Sequence, residues 1–333
     1  MYLKKLLLLC YVLISLQVGT YAQSSQGTDF WVAFLQNCDI SSTSYDYYTL
    51  ELTITSNEDA DVVIENEKVS FKKEFSLKAK SKETVEIPFD DFNLNEYGKV
   101  LDTKSLHVTS TSPISVYVTN AQYHSMESAL ALPTTACGSY YVTQMNDVRV
   151  EKGAYKYFPA VFCVIGTEDN TEVEITPTLN TGAGFPANQP FKIKLNAGDV
   201  YVVETTSADQ GKDFSGSQIR VSDNKKVAVF VGNVSSCIPE PTPMGDGDNL
   251  MDVAYPVTSW GKSFLIVPLK QGRNDLIKIT AADNGADIYK DGTLIANLKP
   301  FETYSFMQKE SDGAFTITSS EPVEVYQYMT SVN

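Results

Sequence analysis

The stretch 106–118, Leu106-His107-Val108-Thr109-Ser110-Thr111-Ser112-Pro113-Ile114-Ser115-Val116-Tyr117-Val118, recurs in variant form twice more. Without gaps it matches 219–231, through Arg220-Val221-Ser222 and Val227-Ala228-Val229-Phe230. It also matches 315–327, through Thr316-Ile317-Thr318 and Pro322-Val323-Glu324-Val325-Tyr326. Each copy alternates apolar and polar residues, passes four polar positions, and alternates again. A period of two marks a half-buried strand, so each copy reads as two strands around a tight connection. The segment ahead of each copy repeats as well. Leu50-Glu51-Leu52-Thr53-Ile54 leads through Ser56-Asn57-Glu58-Asp59 into Val62-Val63-Ile64. The run 161–165 leads through Thr167-Glu168-Asp169-Asn170 into Val173-Glu174-Ile175, and 276–279 through Ala282-Asp283-Asn284-Gly285 into Ile288-Tyr289. Asn, Asp and Gly tolerate left-handed backbone, so these turns are predicted to close hairpins. Further strand candidates lie at 71–77 and 84–89, 191–195 and 200–204, and 293–298 and 303–306. Related strands open the units at Gly27, Gly138 and Gly261. The prediction is an all-β chain of three tandem β-sandwich-like repeats, at 23–136, 137–259 and a shortened 260–333. A rod-like and a pseudo-threefold arrangement both fit this pattern.

Ahead of the repeats, Lys4 and Lys5, the apolar run 6–16 and Thr20-Tyr21-Ala22 read as a signal peptide over residues 1–22. The mature chain is therefore expected to be secreted, periplasmic or at the cell surface, with no membrane span. Lys plus Arg number 26 against 41 Asp plus Glu, a formal charge of −15. So acidic a surface repels phosphate backbones and excludes nucleic acid as a partner. It also argues against docking on anionic lipid through a basic patch. The 43% apolar content suffices for packed cores. Nineteen Tyr and 16 Phe stand against two His, a balance suited to binding or structure more than to acid–base catalysis. No G-x-S-x-G, H-E-x-x-H or Walker sequence occurs, so no enzyme is expected. Cys38, Cys137, Cys163 and Cys237 permit two disulfides in three connectivities, or buried thiols, Cys163 lying within an apolar run. No CxxC pair exists and His is scarce, which argues against zinc.

The second junction carries the most distinctive residues. Asp213-Phe214-Ser215-Gly216-Ser217 is followed by Cys237, Asp248-Asn249-Leu250-Met251-Asp252 and Pro256-Val257-Thr258-Ser259-Trp260-Gly261. This resembles the N-terminal domain of the IgGFc-binding protein family, and the likeness extends over nearly the whole mature chain. Gly247-Asp248-Asn249 stands where many relatives have Cys-Asp-His, Asp252 where Glu is usual, and Val253 where Gln is usual. The resemblance implies an extracellular or periplasmic module for binding and adhesion. It does not imply antibody binding by this chain.

Two groups of residues are candidates for binding. Asp246, Asp248, Asn249 and Asp252 form an acidic cluster whose oxygens suit Ca²⁺, although their spacing departs from an EF-hand. The plainer reading is a solvated connection, with no cofactor and no metal. Tyr45, Tyr47 and Tyr48 come after a serine-rich loop and suit stacking on a glycan or anchoring a protein, unless they pack on the core. Asp59, Asp169 and Asp283 fall at one turn position and read as turn chemistry. His107 sits on an expected outward face, His124 in a connection, and Trp260 is expected as a buried anchor. The function these features imply is a non-enzymatic binding or adhesion module for an extracellular glycoprotein or glycan. The alternative is a structural or assembly component of the cell envelope.

Overall fold

The computed structural model describes residues 24–37, 48–122, 125–147, 158–209, 211–238, 247–269 and 274–330. The expected signal peptide and Cys38, Tyr45, Tyr47, His124 and Asp246 lie outside them. The first strands are β1 (Gly27–Val32), β2 (Phe34–Leu35), β3 (Thr49–Ser56), β4 (Ala60–Asn66) and β5 (Phe71–Leu77). They are followed by β6 (Lys82–Ile87), β7 (Asn93–Leu94), β8 (Val100–Leu101), β9 (Leu106–Gln122) and β10 (Ser125–Leu130). Then come β11 (Tyr140–Val142), β12 (Ala160–Gly166), β13 (Thr171–Thr176), β14 (Phe191–Leu195) and β15 (Val200–Glu204). After these run β16 (Gln218–Val221), β17 (Val227–Ser236) and β18 (Asp248–Val253). Last are β19 (Gly261–Ile266), β20 (Asp275–Ala281), β21 (Ala286–Lys290), β22 (Thr293–Leu298), β23 (Thr303–Gln308) and β24 (Phe315–Met329). The chain is all-β apart from short helical turns, and no helix among the described residues is long and apolar enough to cross a membrane.

The three turns expected to close hairpins do something else. In the first sheet the order is β5-β4-β9-β3-β6, so β9 is inserted between the strands that flank the turn 56–59. β4 pairs with the front of β9, Ile64 opposite Val108, while β3 pairs with its rear, Leu52 opposite Val118. β1 and β10 flank the same two halves on the other side. β9 thus passes from one layer to the other, and the turn crosses between layers. The arrangement is sandwich-like. Leu106 and Val108 from the front and Val116 and Val118 from the rear join one buried cluster.

The four polar positions inside β9 do not break it. They form an irregularity: Gly27 lies opposite Ile114 but Asp29 opposite Thr109. The Ser110 hydroxyl donates to the Ser112 carbonyl at 2.8 Å, closing the bulged segment locally. β24 repeats the device. Gly261 faces Val323 and Ser263 faces Thr318, and Ser319 Oγ donates to the Glu321 carbonyl at 2.7 Å. Its sheet runs β22-β21-β24-β20-β23, the order of the first.

The middle of the chain separates the two layers completely. Asp223 and Asn224 hold φ of 60° and 56°, and Lys225 N–H donates to the Ser222 carbonyl at 3.2 Å. Two successive left-handed residues make a type I′ turn, which ends β16 and starts β17. The result is one sheet β11-β16-β13-β14 and another β18-β17-β12-β15-β8. Every residue of β12 and β17 is buried. Val161, Cys163 and Ile165 of β12 join the first cluster, and Ala160, Phe162 and Val164 the second. A strand covered on both faces must be apolar throughout, which explains the unbroken run 160–165.

The two junctions are built alike. A Cβ on Gly27 would fall 2.4 Å from Pro133, and one on Gly138 2.4 Å from Pro256. Each opening glycine therefore sits against the proline that leaves its own strand set. Trp260, expected as a buried anchor, is half-buried, its indole N–H donating to the Tyr255 carbonyl at 3.2 Å. Cys137 and Cys163 are buried thiols that burial pushes up to about 12, so they are inert. Cys237 is also buried.

Candidate functional site

A cavity of about 770 Å³ opens where β10, the segment after β11, β17, β18 and the end of β24 converge. β18 runs antiparallel to β17, Asp252 opposite Val231 and Leu250 opposite Asn233. Gly232 lets the strands close, because a Cβ there would lie 2.0 Å from the Leu250 carbonyl. Alternation along β18 buries Asn249, Met251 and Val253 and leaves Asp248, Leu250 and Asp252 on the other face. β10 lies alongside. Ser125 Oγ donates to Asp248 at 2.5 Å and accepts from Asn249 N–H at 2.8 Å. This places Glu127 of β10 on the cleft beside Asp248 and Asp252.

Buried Asn233 forms the floor, and Asn249, on the opposite face of β18, ties the strand to the first set. Asn233 Nδ2 donates to the Asn146 carbonyl at 2.8 Å, and Asn249 Nδ2 to the carbonyls of Asn233 and Gln36 at 2.8 and 3.1 Å. With their amide nitrogens so committed, the Oδ1 atoms of Asn233 and Asn249 have no hydrogen-bond partner among the described residues. Asn120 of β9 stands where the aligned segment 219–231, carried on by two residues, has Asn233, and it donates to the Leu35 carbonyl at 2.6 Å.

The remaining wall comes from β24. Glu324, Tyr326 and Tyr328 share one face of that strand; the Tyr326 hydroxyl donates to the Val253 carbonyl at 3.1 Å, and the two rings lie 5.8 Å apart. Glu324 is only 6% exposed, and its carboxylate meets no side-chain donor among the described residues. The segment 144–146 is tied to β20 through a buried ion pair, Lys278 to Asp213 at 2.6 Å, with Lys278 also donating to the Met145 carbonyl.

The electrostatics of the cleft are one-sided. Among the described residues no Lys or Arg lines it. Burial, reinforced by Asp248 and Asp252, pushes the Glu127 carboxyl up to about 7. Burial alone pushes Asp252 up to about 6, and burial with the Asp252 charge holds Glu324 well above the usual carboxylate range. Next to the lining Asn146, Asp147 is pushed up to about 6, by burial and then by Asp213. Carboxyls in this state bind a cation by losing a proton.

Asp248, Asn249 and Asp252, anticipated as one cluster, do line one cleft. Among the described residues no three His, Cys, Asp or Glu side chains are grouped to hold a metal ion. Tyr48 lies elsewhere, half-buried against Phe89 with ring centroids 4.8 Å apart. The turn acids divide. Asp59 and Asp169 each accept a backbone N–H from the next turn, Ala79 at 2.8 Å and Ala197 at 3.1 Å, whereas Asp283 pairs with Arg220 at 2.6 Å. His107 is packed rather than outward, stacked on Trp31 at 4.1 Å and bonded to Asp29 at 3.0 Å. Glu127, Tyr326, Tyr328 and Glu324 were not anticipated. One signal did exist for Glu324: the aligned segments have Ser115 and Ala228 at its position, both small and buried.

The chain has no match among curated proteins or among solved structures. The profile of the IgGFc binding protein family matches residues 127–333. The match opens in β10 and takes in all of the cleft-forming strands, while the stretch before β10, over which the sequence resemblance also runs, falls outside it. With most of its length so matched, the chain belongs to the IgGFc-binding protein family.

Proposed function

We propose that this chain is an exported, non-enzymatic binding module that engages an extracellular protein or glycan through the cleft between β10, β18 and β24. The three strand sets are taken as repeat units at 23–136, 137–259 and 260–333. The observation that carries the reading is the cleft itself, about 770 Å³, lined by acceptors and tyrosines and, among the described residues, by no cationic side chain. A volume of that size suits a side chain or short segment of a ligand better than a bare ion. Family membership supports a binding role, and export rests on residues 1–22 and on the usual extracellular setting of the family.

A glycan and glycoprotein array, with immunoglobulin among its spots, tests this with the purified chain and an Asp252→Asn/Glu127→Gln variant. Spots bound by the native chain and lost by the variant support the cleft. Spots bound equally by both overturn it as the site, and a silent array overturns the binding reading in favour of an envelope component.

A further inference from the structure

The cleft also specifies the chemistry of its ligand, provided that it is the binding site proposed for this chain. We infer that it takes an arginine side chain presented by a partner protein, with the guanidinium placed among Glu127, Asp252 and Asn233 and its alkyl stem against Tyr326 and Tyr328.

Three independent features lead there. The first is the hydrogen-bond inventory. Asn233 is fully buried, lines the cleft on the face that carries Asp252, and keeps an Oδ1 without a donor among the described residues. A buried acceptor left unpaired is costly, so the floor favours a ligand rich in donors. A guanidinium has five N–H donors and no acceptor, and its planar fork suits a carboxylate beside carbonyl oxygens.

The second is charge. Glu127 faces the cleft from β10, and Asp248 and Asp252 from β18; Glu324 lies behind Asp252, with Tyr255, Tyr326 and Tyr328 around them. Lys278 of β20, opposite Tyr326, is already paired with Asp213 at 2.6 Å. Among the described residues no Lys or Arg lines the cleft, and a cationic ligand complements its carboxylates.

The third is a precedent inside the molecule. Arg220 lies 3.8 Å over the ring of Tyr140 and meets Asp283 at 2.6 Å, joining the second strand set to the third. The fold thus already uses a guanidinium on a tyrosine face with a carboxylate at its end, and the cleft offers that combination without the guanidinium.

The carboxyls give the interaction a direction in pH. Glu127 is pushed up to about 7 and Asp252 up to about 6, so both are protonated in mild acid. A cation must displace those protons, and affinity rises as pH rises through that window.

NMR titration of the full chain with acetyl-arginine amide, acetyl-citrulline amide and Ca²⁺ alone tests the inference. Acetyl-arginine amide is expected to shift the cleft resonances at about pH 8 and to bind roughly tenfold more weakly at about pH 5. Acetyl-citrulline amide keeps the shape without the charge and is expected not to bind. Equal binding of the two amides overturns the inference, as does arginine binding that is independent of pH or unchanged in Asp252→Asn/Glu127→Gln. A response to Ca²⁺ with none to arginine overturns it too. The comparison of amides uses the native chain, so it stands even where the variant misfolds. If array ligands depend on Asp252 and Glu127 but acetyl-arginine amide neither binds nor competes, the cleft remains the site and only the arginine assignment falls.

Discussion

The first and third strand sets keep one long strand intact across both layers, whereas the middle set cuts it in two. β9 and β24 bend through serine-closed bulges, while β16 and β17 are separated by the Asp223-Asn224 turn. The consequence lies in burial. An unbroken strand holds its two layers around a single core, as the third cluster shows. Once cut, the middle set is free to lay its rear sheet between two cores, and β12 and β17 are buried on both faces. The same freedom carries β18 outward to β10 and β24, where the cleft forms.

The contrast breaks most readily at the doubly covered sheet. Phe162 is fully buried, with Phe214 edge-on at 5.4 Å. Phe162→Ala is expected to cost about 3–5 kcal/mol in chemical denaturation, whereas Val85→Ala on half-exposed β6 should cost well under half of that. A smaller effect is expected from Gly232→Ala, whose new methyl would meet the Leu250 carbonyl. It should destabilise by about 1–3 kcal/mol and weaken amide-exchange protection along β18 before that along β3.

The turn that divides the middle set sharpens the comparison further. Asn224→Ala forces a side chain into left-handed backbone and should cost about 1–2 kcal/mol. Ser110→Ala, which opens the matching bulge in β9, should cost about 1 kcal/mol.

Acidity separates the regions by sign. Glu127, Asp147 and Asp252 have folded values raised to about 7, 6 and 6, above those of an unfolded chain. Their contribution is fully present below about pH 4 and is lost as pH rises through 6 to 7. The melting temperature is therefore expected to fall between about pH 5 and pH 8, and Asp252→Asn/Glu127→Gln should flatten that slope. Differential scanning calorimetry reads it directly; a slope unchanged in the variant would count against these groups. The smallest effect belongs to Arg220→Ala, because the Arg220–Asp283 pair is close to half exposed. Its loss should stay below about 1 kcal/mol.

How much of the fold is legible in the sequence depends on the range of each signal. Alternation is local, so strands such as β3, β13 and β20 could be placed from their own residues. Pairing is not local. The turn 56–59 has hairpin chemistry, yet β9 enters between its flanking strands from fifty residues away, and nothing in Ser56-Asn57-Glu58-Asp59 encodes that. The polar positions 109–112 likewise suit a turn or a bulge, and only the strands beside them decide. In the cleft, Asp248, Asn249 and Asp252 could be grouped because one strand carries them. Glu127 and Tyr326 reach the same place from strands nearly two hundred residues apart, and their convergence is a property of the assembled sheets. Tyr48 was ambiguous for the opposite reason: a tyrosine at a strand entrance suits a ligand or a core equally, and Phe89 takes it.

The central place of β9 and β24 also sets a timetable. β1, β3 and β4 precede β9 in the chain and all pair with it; β19, β20 and β21 stand in the same relation to β24. On a ribosome, β1 and β19 emerge with no partner yet made, and β3, β4, β20 and β21 have only their outer neighbours. Each set therefore waits with open strand edges until its last long segment is translated, and then closes in one step. Such late keystones make nascent chains adhesive toward one another, and a chaperone that shields strand edges would raise the yield of this protein more than one that accelerates collapse.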